Sequence, residues 1–177
     1  MRRIAQRLAV SSLLALTGAV AAPSVAAACS GADSSPSSLG DAGTARATLC
    51  LLNEERASRG LRKLRSDARL RRAADRHARD MVARRYFAHD SKSGASFVTR
   101  IKRTGWTRSR RSWQVGENIG YGSGSLATPR SMVRGWMNSA GHRDNILARQ
   151  FRLIGIGIAN GCPTGGGGTT YATDFGG

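Results

Sequence analysis

Residues 114–122 read QVGENIGYG and place one carboxylate, Glu117, between glycines and apolar residues. Val115, Ile119 and Tyr121 alternate with smaller residues, which is the period-2 pattern of a strand. A glutamate in such a setting costs several kcal/mol unless it meets a partner. Its partners therefore decide what this strand is for.

Further along, FRLIGIGIAN (151–160) sets Leu153, Gly155 and Gly157 against Ile154, Ile156 and Ile158, a strand with one greasy face. TTYATDFG (169–176) closes the chain as a last strand, and NGCPTGGGG between the two reads as a flexible hairpin loop. Towards the N-terminus the periodicity is helical. SDARLRRAADRHARDMVARR (66–85) carries Leu70, Ala73, Ala74, His77, Ala78, Met81 and Val82 on one face, with Ser66 as its cap. TARATLCLLNEERASRG (44–60) ends on a glycine stop. ASFVTRIKRTG (95–105) fits a shorter helix with Phe97 and Ile101 inward. TPRSMVRGWMNS (128–139) opens on a Thr128 cap and Pro129, with Met132, Val133, Trp136 and Met137 as its buried stripe. Helices early and strands late predict an α+β fold, helices covering a small, mainly antiparallel sheet.

The first 28 residues predict a secretory signal peptide. MRR and Arg7 are followed by the weakly apolar run LAVSSLLALTGAVAA, with small residues at Ala26 and Ala28 before a cleavage site. The chain is thus expected outside the cell, with no later segment apolar enough to hold it in a membrane. Residues 29–44, rich in Ser, Gly and Pro, read as a lead-in, and the domain as 45–177. Cleavage before Cys29 leaves two fates for that residue, lipid attachment or a disulfide. Cys29–Cys50 closes a short loop, Cys50–Cys162 is the alternative, and spacing does not choose between them.

Formal charge is +17, falling to +14 without Arg2, Arg3 and Arg7, and arginine outnumbers lysine 25 to 3. Such a surface is attracted weakly, and in a salt-sensitive way, to an anionic envelope. No aromatic residues interleave a basic stripe, so specific nucleic-acid recognition is not expected.

Of three histidines, His77 lies on the apolar face of the strongest helix and reads as a hydrogen-bonded core residue. His89, in YFAHDS, and His142, in SAGHRDNIL, stand at helix ends. If they converge with Glu117, three chemistries are open. The set can hold a divalent metal such as zinc, do acid–base work, or form a stabilising polar network. Neither an HExxH helix nor a GxSxG elbow is present.

With these residues in view, the sequence resembles the CAP superfamily in its bacterial secreted branch. These are SCP-like extracellular domains related to cysteine-rich secretory and pathogenesis-related proteins. The resemblance rests on LLNEERASRGLRKL, YFAHDS, VGENIGYG, MVRGWMNSAGHRDNIL and LIGIGIA…YATDFG in that order, over residues 47–176. It implies a three-layer α–β–α sandwich with a cleft holding two histidines and two acids. His89, Glu117 and His142 match three of those. Where the second acid is expected, GWMNSAGH offers only Asn138 and Ser139, and Asp144 has no motif-level claim to the role. Asn145 is expected to add a polar contact. Family members have been linked to lipid and sterol binding, to metal at the histidines, and to envelope interactions. A monomeric, non-catalytic protein binding a lipid, a wall fragment or a metal in this cleft is the leading expectation. A hydrolase using His89, Glu117 and His142, and a structural envelope protein holding anionic polymer, are the alternatives.

Overall fold

The computed structural model describes residues 29–177, so the signal-peptide expectation for residues 1–28 lies outside the described residues. Five helices and four strands follow in order: α1 (Pro36–Ala57), β1 (Arg65–Ser66), α2 (Ala68–Ala83), α3 (Phe97–Arg103), β2 (Val115–Gly122), α4 (Pro129–Met137), α5 (Ala140–Leu147), β3 (Leu153–Asn160) and β4 (Thr169–Gly176). A short 3-10 turn, Gly124–Ala127, joins β2 to α4. The sheet runs β1-β3-β4-β2, antiparallel except where the two-residue β1 meets β3. This is the expected α+β sandwich of three layers.

Strand β3 explains the layering. Its isoleucines face α1, α4 and α5, where Ile154, Ile156 and Ile158 join Leu52, Trp136, Ile146, Tyr171 and Phe175 in the main core. Its glycines face α2. A Cβ on Gly155 would fall 2.0 Å from the Arg71 amide nitrogen, and one on Gly157 2.3 Å from the Ala74 carbonyl carbon. The Gly-x-Gly spacing therefore lets the α2 backbone lie directly on the sheet. Ala74, Ala78 and Met81 of α2 complete a second core with Ile119, Ala159 and Ala172. The greasy face and the bare face are both buried, for opposite reasons of size.

Three local expectations are revised. The lead-in over 29–44 is largely ordered helix: Ser35 caps it, Pro36 sits in its first turn, and the chain bends at Gly40 (φ 65°) before continuing. Serine, proline and glycine serve there as cap, starter and kink rather than as linker. Asp67, not Ser66, caps α2, its Oδ1 accepting from Arg69 and Leu70 amides at 2.8 and 3.0 Å. The glycine-rich loop 161–168 is a bonded turn, with Gly161 N–H donating to Gly168 O at 2.8 Å and Cys162 buried within it.

Cys29 and Cys50 form the disulfide, and Cys162 is the free thiol. The bridge commits the Cys29 sulfur, which leaves none for lipid attachment. Among the described residues no helix is long and apolar enough to cross a membrane.

Buried Arg56 of α1 fixes α5 in place. Its guanidinium donates to the carbonyls of Ile146 at 2.6 Å, Ala148 at 3.0 Å and Phe151 at 3.1 Å. One buried side chain thereby ties together three carbonyls at the end of α5 and in the following turn.

Candidate functional site

The site is built on β2, an edge strand, and each residue of GENI has a separate duty. Gly116 makes room for α5: a Cβ there would meet Asn145 Oδ1 at 2.6 Å. Asn118 donates to the His142 carbonyl at 3.0 Å and accepts from Asn145 Nδ2 at 2.9 Å. Ile119 enters the α2-side core, while its carbonyl takes the Trp136 indole N–H at 3.0 Å. Strand and helix are thereby locked together, and His142 is set in the first turn of α5 rather than beyond a helix end.

Glu117 points to the α2 side, and its side chain has no exposure to solvent. Oε1 pairs with His89 Nδ1 at 2.9 Å, and Oε2 accepts from Arg100 Nη2. Arg100 was not legible as a site residue, because in ASFVTRIKRTG it is one of several cations. It turns inward from α3 and also donates from Nη1 to the carbonyls of His89 and Ala95, at 2.8 and 2.9 Å. One guanidinium thus fixes the His89 loop and neutralises the carboxylate.

A second buried acid stands beside Glu117, outside the GWMNSAGH stretch. Asp174 of β4 stands directly opposite Glu117 in the strand register. It is wholly buried, and neither carboxylate oxygen has a hydrogen-bond partner. Burial, and then the neighbouring Glu117 charge, push its pKa well above the usual carboxylate range. Two buried carboxylates lie side by side, and the guanidinium of Arg100 bonds to Glu117 and not to Asp174. A signal was present in the sequence: YATDFG, like VGENIG, sets a lone acid in a strand due to be buried.

The histidines have opposite characters. The bond to Glu117 raises the pKa of His89, whose side chain is 50 % exposed and whose Nε2 has no partner among the described residues. Burial and the nearby His89 charge lower that of half-buried His142. The two imidazoles are therefore pushed in opposite directions, His89 towards and His142 away from its protonated form. Asn145 holds the backbone, donating to the Glu117 carbonyl at 3.2 Å as well as to Asn118. His77 is the expected core histidine, buried, with Nε2 3.0 Å from the Ala88 carbonyl and its pKa lowered by burial. Beside the site, Phe87 and Tyr121 meet edge-on at 4.9 Å, and both are exposed.

A three-ligand metal centre of His89, Glu117 and His142 does not fit. Glu117 has spent both oxygens, one of them on an arginine. Among the described residues the only trio with ligand atoms within 4.8 Å of one another is Cys29, Cys50 and Glu54, whose sulfurs form the disulfide. Two imidazoles remain, and Glu117 stands behind His89 as an orienting group.

An α–β–α sandwich with this sheet is the fold of the SCP-like class of domain. The chain belongs to CAP, the Cysteine-rich secretory protein family, whose model matches residues 49–173. It is 38 % identical over 107 residues to the uncharacterized protein YkwD of Bacillus subtilis, covering 60 % of this chain and 39 % of that one. Identity to the uncharacterized membrane protein YlbC of the same organism is 34 % over 110 residues, covering 62 % and 30 %. The chain thus spans less than half the length of these curated relatives. Among solved structures, an extracellular protein containing a SCP domain from Bacillus anthracis superposes with TM-score 0.64 at 29 % identity, covering 76 % of this chain and 40 % of that one. An outer surface protein from Borrelia burgdorferi shares the fold with TM-score 0.58 at 19 % identity, covering 72 % and 87 %.

Proposed function

We propose that this protein is an extracellular, monomeric, non-catalytic ligand-binding domain, with its site at His89 and His142. The ligand is a molecule of the cell envelope, a lipid or a wall fragment, that carries a hydrogen-bond acceptor. One observation carries the reading: both oxygens of Glu117 are bound within the protein, while the half-exposed His89 side chain leaves Nε2 without a partner among the described residues. The carboxylate serves to hold the His89 ring in place and to favour its protonated, donor form, not to act on a substrate. The Phe87–Tyr121 pair offers an apolar body beside that donor. Export is supported by the signal-like first 28 residues and by the likeness to the extracellular Bacillus anthracis protein. The excess of arginine adds a weak attraction to anionic envelope polymer.

Isothermal titration with solubilised wall fragments, and separately with lipid vesicles, tests this. Binding to one of them should fall about tenfold in His142→Ala, with the melting temperature kept. No heat from either, for folded protein, counts against it. A hydrolase is the second reading, favoured by the His89–Glu117 bond, in which Glu117 orients a general base. It requires turnover of a wall or lipid ester substrate that His89→Ala abolishes.

A further inference from the structure

A cavity lies beside Arg100, the partner of Glu117. It is a hollow of about 210 Å³ between α2, the loop after it, and α3. Four arginines line it, Arg76, Arg84, Arg100 and Arg103, against a single carboxylate, Asp80. That carboxylate is already engaged: Asp80 Oδ2 accepts from the Tyr86 hydroxyl, and Oδ1 lies 3.8 Å from Arg84 Nη1. Arg100 is paired with Glu117 through Nη2, yet its Nε is buried and donates to nothing. Among the described residues no carboxylate comes within 4.0 Å of Arg76 or Arg103. The Ser91 hydroxyl, 3.3 Å from Arg100 Nη1, is a further polar group on the wall.

We infer that this hollow is a binding site for a phosphate-sized oxyanion, either free phosphate or the phosphate of a larger envelope molecule. Like charges facing one small space repel one another, and a bound dianion turns that repulsion into attraction. Guanidinium groups present paired N–H donors that match phosphate oxygens. Arg100 keeps its Nε–H buried, so the groups free to meet the oxyanion are the exposed guanidiniums of Arg76 and Arg103, with Arg84 beside them. The volume lies below that of pockets for drug-sized ligands, which suits a head group and not a whole molecule. A general basic surface would instead spread its cations over open solvent. The inference does not rest on the ligand reading at His89, though the two sites share Arg100.

The test is isothermal titration of the exported protein with inorganic phosphate and with glycerol 1-phosphate, sodium chloride being varied to hold ionic strength constant. One phosphate should bind per chain and raise the melting temperature. Arg76→Ala/Arg103→Ala changes two exposed side chains and should keep the fold by circular dichroism. It should weaken binding about tenfold or more and remove the thermal shift. Arg149→Ala, an exposed arginine outside the hollow, should bind as the parent does. Glycerol phosphate binding at least as tightly as phosphate identifies the head group of a larger molecule; preference for inorganic phosphate identifies the free ion. Absence of saturable heat, an equal loss in Arg149→Ala, or full binding by the double variant overturns the assignment.

Discussion

Glu117 and Asp174 sit opposite one another on neighbouring strands, both buried, and only Glu117 has a cation. The sharing is uneven because Arg100 and His89 both reach Glu117 and neither bonds to Asp174. Asp174 therefore holds its proton to higher pH in the folded protein than in the unfolded chain, which releases it above a pKa of about 3.9. A group whose folded pKa is raised stabilises most at low pH. Its contribution is lost as pH rises towards the folded value, by up to about 1.4 kcal/mol per pH unit. Asp174→Asn mimics the protonated acid and removes that loss. At pH 7 the variant should melt higher than the parent, each kcal/mol gained appearing as roughly 2–4 °C. Stability should also fall less steeply above pH 4, as followed by denaturant titration at several pH values. Identical slopes would show that Asp174 does not carry the proton.

Arg100 is the hub of the site, and its loss should cost more than any single histidine. Arg100→Ala leaves a fully buried carboxylate without its cation and orphans the carbonyls of His89 and Ala95. Removing one partner of a buried pair costs about 3–5 kcal/mol. Part of that cost is the stranded charge, so Glu117→Gln in the same background should restore some stability, measured by chemical denaturation. His89 should respond in parallel. Its raised pKa stabilises the fold below about pH 6.5 and that contribution fades as pH rises through the raised value. Glu117→Gln should move the His89 titration, followed by NMR, down towards the ordinary histidine value. An unchanged His89 titration in Glu117→Gln would remove Glu117 as the group that tunes it.

Much of this architecture was legible because period and position agree. The α2 stripe from Leu70 to Met81, the Thr128–Pro129 start of α4 and the alternation of β3 each constrain only local backbone, and each is found. The convergence of Glu117 with His89 was legible only through the resemblance, since 28 positions and a helix separate them. Arg100 and Asp174 were missed for a shared reason. Their roles depend on which face of an element turns inward, and charge by itself is read as surface. The glycines of β3 were legible as strand, but not as the means of bringing α2 onto the sheet.

Those glycines yield the last prediction. Gly157 carries no unusual backbone angle, so alanine is permitted there conformationally and only the contact with α2 forbids it. The atoms that a new Cβ would strike are the carbonyl carbon and oxygen of Ala74 and the amide nitrogen of Asp75, all backbone. A side chain could rotate aside; a helix backbone cannot, and α2 would have to lift along its length. Lifting it opens the Ala74–Ala78–Met81 core and moves His77 and the His89 loop away from Glu117. Overpacking typically costs about 1–3 kcal/mol, and more where backbone has to move. Gly157→Ala should therefore lower stability by at least that much and also shift the His89 titration, although residue 157 touches neither His89 nor Glu117. Gly135→Ala, where a Cβ meets nothing within 4 Å inside α4, is the control and should be neutral or slightly stabilising. A Gly157→Ala protein as stable as the parent would mean that α2 does not rest on the sheet at this close distance.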